Sequence, residues 1–301
     1  MKILIIKHGS LGDLVLSFGA IKTIREHYKS SEIFLLTQTN YKSIFKDLPY
    51  VNDIIADDRL SSFSSIIKYL KILKKLKINL IIDLQNSSRT QIYHFFTRIF
   101  LRSKILSAKN FSHYRYSQKP LGIQHITQNH KDQLKFLGIN DFNQPDLSWM
   151  GTSSRSKKKY VILIPGASKS GDYKKWPVNK YAEIANYLES KNFDVYLTGS
   201  KQDINEINSI MSLCPKAKNK INDSKIEVFY DLCLNSSLII SNDTGPAHIA
   251  GLTNKNLIWL ANDNKTSRSC HPLGENIHKI LHNDVKNIKS DSVIKKINQI
   301  I

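Results

Sequence analysis

The sequence has few cysteines, and the three present show no metal-binding pattern. Cys214, Cys233 and Cys270 share no CxxC spacing and offer no His-Cys metal pattern, so no zinc module or disulfide framework is indicated. A run of about 18 apolar residues is also missing, and the four apolar residues before Lys7 are too few for a signal peptide. We therefore expect a protein of the reducing cytoplasm that neither crosses a membrane nor is exported by that route.

Acidic residues are also scarce relative to basic ones. The chain has 44 lysines and arginines against 25 aspartates and glutamates, a net charge of +19. This excess is spread along the chain, and no recognised nucleic-acid motif or RNP-like aromatic pattern occurs. Dispersed positive charge predicts an anionic partner. The candidates are a phosphorylated substrate, an acidic membrane surface and nucleic acid, and the missing motif speaks against nucleic acid.

The alternation of short apolar runs with helical patterns predicts an α/β fold. At 301 residues the chain is longer than most single cores, which favours two domains. Each half contains five apolar runs typical of buried strands, separated by segments with apolar residues at three- and four-residue spacing. The first-half runs are "KILIIK", "EIFLLTQ", "VNDIIA", "INLIIDLQ" and "SKILSA". The second-half runs are "YVILIPG", "FDVYLTGS", "SLIISND", "NLIWLA" and "HKILH". We predict two Rossmann-like domains, 1–150 and 151–301, joined by a polar linker at 151–158.

Ligands of open parallel sheets bind beyond the carboxyl ends of the strands, so the residues that follow each run are the candidate site residues. The first strand is followed by "KHGSLGDLVLSFGAI", in which Gly9 and Gly12 permit a tight turn and Asp13 begins a helix. The third glycine of a dinucleotide fingerprint is missing. Asp13 and Ser10 are therefore either functional residues or only helix caps.

The stretch "PGASKSGDYKKWP" follows the first strand of the second half. Small residues at 166–168 let backbone amides approach a ligand, and Lys174 and Lys175 supply positive charge where a helix begins near Pro177. The alternative is that the lysines form an ordinary solvated face. Trp176 is either a packing residue or a recognition residue.

The stretch "SNDTGPAHIA" leaves a buried strand and turns directly into a helix. Thr244, Gly245 and the free amides of the next helix predict a phosphate-binding site, and Pro246 suits the first helical turn because its missing N–H costs nothing there. His248 falls in the same turn. A buried histidine with a hydrogen-bond partner is the competing interpretation.

Together these motifs resemble the bacterial lipopolysaccharide heptosyltransferases, glycosyltransferase family 9. The pieces "IIKHGSLGDLVLSFGAI", "IIDLQNSSR", "PGASKSGDYKKWP", "YLTGSKQD" and "IISNDTGPAHIA" occur in the order and spacing of that family, from residue 2 to about residue 285. The resemblance implies a GT-B fold, in which two Rossmann-like domains face a central cleft and the last helix can pack back on the N-terminal domain. It also implies transfer of a sugar, typically from ADP-heptose, to the inner core on lipid A.

The resemblance also assigns roles to individual residues. Asp13 matches the catalytic base, Lys174 contacts the donor phosphates during catalysis, and Gly12, Asp83 and Arg89 lie on the acceptor side. The remaining donor-side matches are Ser168, Asp243, Thr244, Gly245 and His248. The segment "LTNKNLIWLANDNKTSRSCHPLG", which follows the helix of His248, departs from the family pattern.

The chemistry of sugar transfer needs a group that stabilises the departing diphosphate and a group that accepts a proton. Lys174 and helix amides can supply the first and Asp13 the second. Asp57 and Asp58 are interpreted as a loop, so we expect metal-independent inverting displacement without a cofactor. A nucleotide-sugar epimerase of the same two-domain fold is the main alternative, and a basic nucleic-acid-binding protein is the weaker one.

Two basic and apolar segments predict where the protein works. "SSIIKYLKILKKLK" places lysines beside an apolar helix face, and "YHFFTRIFLRSK" mixes aromatic residues with Arg98 and Arg102. These segments are either ordinary helices that cover a sheet or helices that also attract an anionic leaflet. We expect peripheral, reversible association with the cytoplasmic face of the inner membrane.

Overall fold

The chain divides into two compact units. The computed structural model describes residues 1–58, 63–151, 159–221 and 225–301, without the side chains of Lys169 and Ser170. The first unit is Met1–Asp146 and the second is Leu147–Ile301. Beyond Gly151, the predicted linker at 151–158 lies outside the described residues.

The first unit is a parallel sheet with helices between its strands. Its described strands are β1 (Lys2–Ile6), β2 (Glu32–Thr37), β3 (Asp53–Ala56), β4 (Leu80–Asp83), β5 (Lys104–Ser107) and β6 (Tyr114–Arg115). Its described helices are α1 (Leu11–His27), α2 (Thr39–Ile44), α3 (Phe63–Leu76), α4 (Ser88–Phe100) and α5 (Ile126–Leu134). The four residues from Ile3 to Ile6 are fully buried, as expected for a central strand covered on both faces.

The second unit repeats this alternation. Its described strands are β7 (Tyr160–Ile164), β8 (Asp194–Leu197), β9 (Lys218–Asn219), β10 (Leu238–Asn242), β11 (Leu257–Asn262) and β12 (Ile277–His282). Its described helices are α6 (Val178–Ser190), α7 (Ile204–Leu213), α8 (Ile226–Leu234), α9 (Gly245–Gly251), α10 (Lys265–Ser269) and α11 (Ser290–Ile300). Both faces of this sheet pack into apolar clusters.

The two sheets have the same strand order. The first is β3-β2-β1-β4-β5-β6 and the second is β12-β11-β10-β7-β8-β9, and the strands pair in parallel throughout the described chain. This is the order of a dinucleotide-binding sheet, in which the chain changes direction beside the first strand. The prediction of two Rossmann-like folds with ten strands is confirmed, and the two-residue edge strands β6 and β9 are additional.

The last helix, α11, is part of the second unit. Val293 and Ile297 are buried in the same apolar cluster as residues of α6, and Tyr187 of α6 donates a hydrogen bond to Asn298. The burial of this helix is therefore explained within its own half, and its expected contact with the first half stays a prediction.

Candidate active site

Each sheet has one switch point, where two neighbouring strands are followed by connections that leave in opposite directions. In the first unit it lies beyond β1 and β4, and in the second beyond β7 and β10. Such crevices are where open parallel sheets bind ligands. The predicted site residues at 9–13 and 83–89 follow the first pair of strands, and those at 166–174 and 243–248 follow the second.

Asn242, the last residue of β10, forms hydrogen bonds with the segment that follows β7 at the second unit's switch point. Its side chain is fully buried, and its Nδ2 donates to the carbonyl oxygen of Pro165 at 2.6 Å. Its Oδ1 accepts hydrogen bonds from the amide of Trp176 at 3.1 Å and from the hydroxyl of Tyr181 at 3.0 Å. Asn242 therefore fixes both ends of the loop that carries the predicted phosphate contacts. Sequence reasoning missed this residue, although its place at a strand end was the available signal.

Lys174 and Asp243 form an ion pair across the same crevice. Lys174 Nζ donates to Asp243 Oδ2 at 2.7 Å, and both side chains are largely covered. Lys175 binds Asp172 at 2.8 Å and Glu206 at 2.5 Å, and these carboxylates raise the pKa of Lys175. The two lysines are thus held in place by carboxylates instead of forming a solvated face, and a lysine ammonium retains further donors for a ligand.

Gly166 lies against a carboxylate of its own chain, and its expected role in ligand approach stays a prediction. A Cβ on Gly166 would lie 2.1 Å from Cγ of Asp203, and one on Gly199 would lie 2.8 Å from its Oδ2. The Asp203 carboxylate is buried here and accepts hydrogen bonds from the amide and the hydroxyl of Ser200, at 2.7 and 2.8 Å. Both glycines therefore make room for Asp203, which sequence reasoning did not identify.

The remaining donor-side residues begin two short helical segments. Thr244 is the N-cap of α9, its carbonyl accepting from the amide of Ala247 at 3.1 Å, and Gly245 is the first residue of that helix. His248 is buried on the same helix. Ser168 is exposed and begins the 3-10 helix Lys169–Lys174. Trp176 is buried and donates Nε1–H to the carbonyl of Ile288 at 2.9 Å, which makes it a packing residue.

In the first unit, the segment after β1 is held against the segment after β4. The amide of His8 donates to Gln85 Oε1 at 3.1 Å, and Lys7 Nζ donates to the carbonyl of Leu84 at 3.4 Å. Gly9 has φ +115°, and a Cβ there would meet the ring of Tyr41 at 2.3 Å. The buried Lys7 ammonium was not singled out from the sequence.

Asp13 has the geometry of a helix cap. Its Oδ2 accepts hydrogen bonds from the amide of Ser10 at 2.9 Å and from the Ser10 hydroxyl at 3.0 Å. The carboxylate stays partly exposed, while Gly12 beside it is buried. The hydrogen bonds of a cap are therefore present, and the catalytic role of Asp13 stays a prediction, since a partly exposed carboxylate can also accept a proton.

Asp83 is buried completely and organises the loop that follows β4. Its Oδ1 accepts from the amides of Gln85 and Asn86, each at 2.9 Å, and its Oδ2 lies 3.3 Å from His94 Nε2. Burial alone would raise the pKa of Asp83, but His94 and the amide of Asn86 hold that pKa below its ordinary value. Since its carboxylate is inaccessible, Asp83 can influence a ligand only through this loop.

Arg89 belongs to a chain of polar side chains that links α4 to β1. Arg89 Nε donates to the hydroxyl of Tyr93 at 3.0 Å, and that hydroxyl donates to Asp57 Oδ2 at 2.7 Å. The same oxygen lies 2.9 Å from Nε2 of the buried His8. Burial and the hydrogen bond to Asp57 raise the pKa of Tyr93 to about 12. Asp57 follows β3 in a loop as expected, but it is the centre of this network.

A cavity of about 560 Å³ beyond β5 and β6 carries positive charge. Lys109, Arg115 and Lys119 line it together with Ser117 and Gln118, and no acid does. Within the described residues, no His, Cys, Asp and Glu side chains are grouped to hold a metal ion. The chemistry of the cavity suits an anionic group.

Comparison with known proteins agrees with this architecture. The family model for glycosyltransferase family 9 (heptosyltransferase) matches residues 68–297. The lipooligosaccharide heptosyltransferase 2 of Campylobacter jejuni subsp. jejuni serotype O:2 is 27% identical over 293 residues, which cover 95% of this chain and 88% of that protein.

Solved structures share the fold over the whole chain. E. coli ADP-heptose lps heptosyltransferase II has a TM-score of 0.78 at 21% identity and covers 100% of this chain and 98% of its own. E. coli heptosyltransferase WaaC with ADP-2-deoxy-2-fluoro heptose has a TM-score of 0.79 at 15% identity, and the match covers 99% of each chain. A UDP-GlcNAc 2-epimerase from Methanocaldococcus jannaschii is more distant, with a TM-score of 0.59 at 12% identity over 100% of this chain and 92% of its own.

Proposed function

The chain belongs to glycosyltransferase family 9, the heptosyltransferases, and from this membership we propose that it transfers heptose from ADP-heptose to the lipopolysaccharide inner core. The enzyme is a glycosyltransferase with the GT-B fold, and the epimerase alternative has only the more distant structural likeness in its favour. The observation that carries the proposal is the Lys174–Asp243 pair, held at the switch point of the second unit beside the start of α9.

The donor diphosphate binds at that switch point in this proposal. Lys174 is fixed by Asp243 and brings its positive charge to the phosphates, while Ser168, Thr244 and Gly245 offer hydroxyls and amides. His248 is buried in the first turn of α9, directly beyond these residues. Placing a fixed cation where the diphosphate leaves stabilises the charge that grows in the transition state.

Asp13 accepts the proton of the attacking hydroxyl in an inverting displacement. Two hydrogen bonds from Ser10 hold this carboxylate in place, so its contribution rests on positioning. Lysine and backbone amides carry the charge of the leaving group, and metal independence stays a prediction. Carefully chelated enzyme should keep its activity, and recovery only after added Mg²⁺ or Mn²⁺ would contradict it.

The acceptor is proposed to interact with the first unit. The cavity lined by Lys109, Arg115 and Lys119 suits phosphate or carboxylate groups of a lipid A-core acceptor. Gly12 lies beside Asp13, and Arg89 is positioned by Tyr93. Asp83 contributes by holding the loop after β4.

A panel of nucleotide sugars tests the donor assignment. ADP-, UDP-, GDP- and CMP-linked sugars should be compared by calorimetry and thermal shift, and ADP-heptose should bind most tightly. A preference for a UDP- or GDP-sugar would keep the reaction class and overturn the heptose assignment. Incubation with nucleotide sugars alone should give no isomerised product, whereas an epimerase would form one without any acceptor.

The proposed place of work is the cytoplasmic face of the inner membrane, where a lipid-linked acceptor would be met. Within the described residues, no helix combines the length and the hydropathy needed to cross a bilayer. The proposed association is peripheral, through the charge of +19 and through surface contacts. Nucleic acid is not proposed as a specific partner.

A further inference from the structure

Helix α4 turns its apolar side away from the sheet. A helix that covers a sheet normally buries its apolar stripe and exposes its polar face. The buried residues of α4 are instead Thr90, Tyr93, His94 and Thr97. The large apolar residues on its outer side are Ile92 (48% exposed), Phe95 (39%), Ile99 (56%) and Phe100 (63%). The polar network around Tyr93 and Asp83 occupies the inner face, so the apolar stripe lies at the surface and stays largely exposed in the described chain.

The outer side of α4 is the centre of an aromatic patch, which consists of Phe63, Phe95, Phe96, Phe100 and Phe111. Phe96 contacts Phe63, Phe95 and Phe100, with ring centroids 6.1, 5.2 and 6.3 Å apart, and Phe95 contacts Phe111 at 5.1 Å. All of these rings except that of Phe96 are exposed. The patch is therefore one continuous apolar surface contributed by α3, α4 and the loop after β5.

The charge around the patch is mainly positive, although Asp57 and Asp58 line a cavity with Ser64 and Lys68 of α3. From residue 63 to residue 121 the chain has twelve lysines and arginines and one acid, Asp83, and Asp83 is completely buried. Arg98, Arg102 and Lys104 are exposed at the C-terminal end of α4 and just beyond it. Burial, Arg98 and Lys104 lower the pKa of His113 in the neighbouring loop. The surface around the rings is therefore strongly electropositive.

These properties distinguish among the possible occupants. A symmetric contact with a second copy would bring the same cations together, which is unfavourable. RNA would find exposed aromatic rings for stacking, but exposed Ile92 and Ile99 offer nothing to a base. An anionic bilayer accepts phenylalanine and isoleucine side chains at the boundary of its acyl region and attracts lysine and arginine at its headgroups.

We propose that the aromatic patch and the cations at the end of α4 dock this enzyme on an anionic lipid bilayer, with α4 lying along the membrane surface. This inference rests on the proposed function only in its choice of a lipid partner, because a lipid-linked acceptor is reached most directly from the membrane plane. The cavity lined by Lys109, Arg115 and Lys119 follows β5 and β6 of the same unit.

Vesicle flotation of the full-length protein tests the proposal. Vesicles of phosphatidylcholine alone are compared with vesicles that also contain phosphatidylglycerol. The apolar variant is Phe95→Ser with Phe100→Ser, and its control is Leu213→Ser with Val228→Ser, which changes two exposed apolar residues of the second unit. The charge variant is Arg98→Gln with Arg102→Gln, and its control, Lys191→Gln with Lys216→Gln, removes the same charge from exposed lysines of the second unit.

The wild type should float with the anionic vesicles and at least tenfold less with the neutral ones. The Phe95→Ser/Phe100→Ser variant should lose flotation, and each arginine removed should weaken it roughly fivefold, while both controls float like the wild type. Unchanged unfolding temperatures show that the variants are folded. Equal binding by the apolar variant and its control would overturn the proposal, as would failure of the wild type to bind anionic vesicles.

Two further measurements separate this inference from its rivals and from the proposed function. If the wild type were dimeric and the patch variant monomeric, the patch would be a contact with a second copy of the chain. If the wild type bound RNA but no vesicles, and the patch variant lost RNA binding, the patch would be an RNA-binding surface. Either result would overturn lipid docking. Sugar transfer to a detergent-dispersed acceptor should be unchanged in the Phe95→Ser/Phe100→Ser variant. Flotation needs no substrate, so lack of transferase activity would refute the proposed function and leave the flotation result to decide this one.

Discussion

Replacing Asp13 by asparagine separates its two roles, because the structure predicts different costs for each. The carboxylate oxygen accepts two hydrogen bonds from Ser10, and the amide oxygen of asparagine can accept the same bonds. The free energy of unfolding then decreases mainly because a negative charge is lost at a helix N-terminus, by about 0.3–1 kcal/mol. This corresponds to a fall in Tm of about 1–4 °C. A missing proton acceptor should lower turnover by about 10²–10⁴-fold, which corresponds to about 3–5 kcal/mol in the transition state.

The matched control is Ser10→Ala, which removes one of the two hydrogen bonds and leaves the carboxylate in place. It should cost about 0.5–2 kcal/mol of stability and change turnover only a few-fold. Steady-state kinetics with saturating donor, donor affinity by calorimetry and thermal unfolding should be measured for both variants. If Asp13→Asn kept near-normal turnover, or if Ser10→Ala lost as much turnover as Asp13→Asn, Asp13 would be a cap and the base would lie elsewhere.

Three further variants test other parts of the structure. Lys174→Ala should weaken donor binding and lower kcat, each by about tenfold or more, and calorimetry that found normal donor affinity would remove Lys174 from the donor site. Asn242→Ala removes hydrogen bonds from buried groups of Pro165, Trp176 and Tyr181. Denaturant unfolding should show that the free energy of unfolding decreases by about 3–5 kcal/mol, and a decrease under about 1 kcal/mol would contradict the role of Asn242. Burial, Lys7 and His125 hold the pKa of His130 well below its ordinary value, so only the unfolded state takes up this proton below about pH 6.5. The free energy of unfolding should therefore decrease as the pH is lowered in that range, by up to about 1.4 kcal/mol per pH unit. In His130→Met the free energy of unfolding should depend less steeply on pH, and a dependence as steep as that of the wild type would contradict the prediction.

The fold was predictable because its signals are local. The run "KILIIK" becomes β1 with four fully buried residues, and each of the other nine runs overlaps a strand, with bounds that differ by one residue for β11 and β12. The edge strands β6 and β9 were not predictable, because two residues of exposed polar strand have no apolar period to detect. Motif order then located both switch points, since each motif follows its strand directly.

The partners of the site residues were not predictable, because they join segments that are distant in sequence. Asn242 contacts the carbonyl of Pro165, 77 positions away, and Lys174 pairs with Asp243 across 69 positions. The sequence predicts that Gly166 lets the backbone approach a ligand, and the structure places Asp203 against the same glycine. A glycine after a strand indicates that something comes close to the backbone, but one sequence does not say whether that is a ligand or a carboxylate of the same chain.

The orientation of helix α4 was also not predictable from the sequence, because it depends on contacts with distant segments. Its sequence, "SRTQIYHFFTRIF", contains a stripe of Ile92, Phe95 and Ile99 at helical spacing, and such a stripe ordinarily marks the buried face. The opposite side carries Thr90, Tyr93 and Thr97, which could be a solvated face just as well. What decides between them is Asp57, which accepts the hydroxyl of Tyr93, and Asp83, which lies beside His94. If α4 were rotated to bury its apolar stripe, Asp57 and Asp83 would lose these partners inside the protein. A buried polar group without a partner costs more free energy than an exposed phenylalanine. The network of the candidate site therefore fixes the rotation of α4 and exposes its apolar stripe. Organisation of the site and exposure of the aromatic patch are therefore two consequences of the same set of contacts.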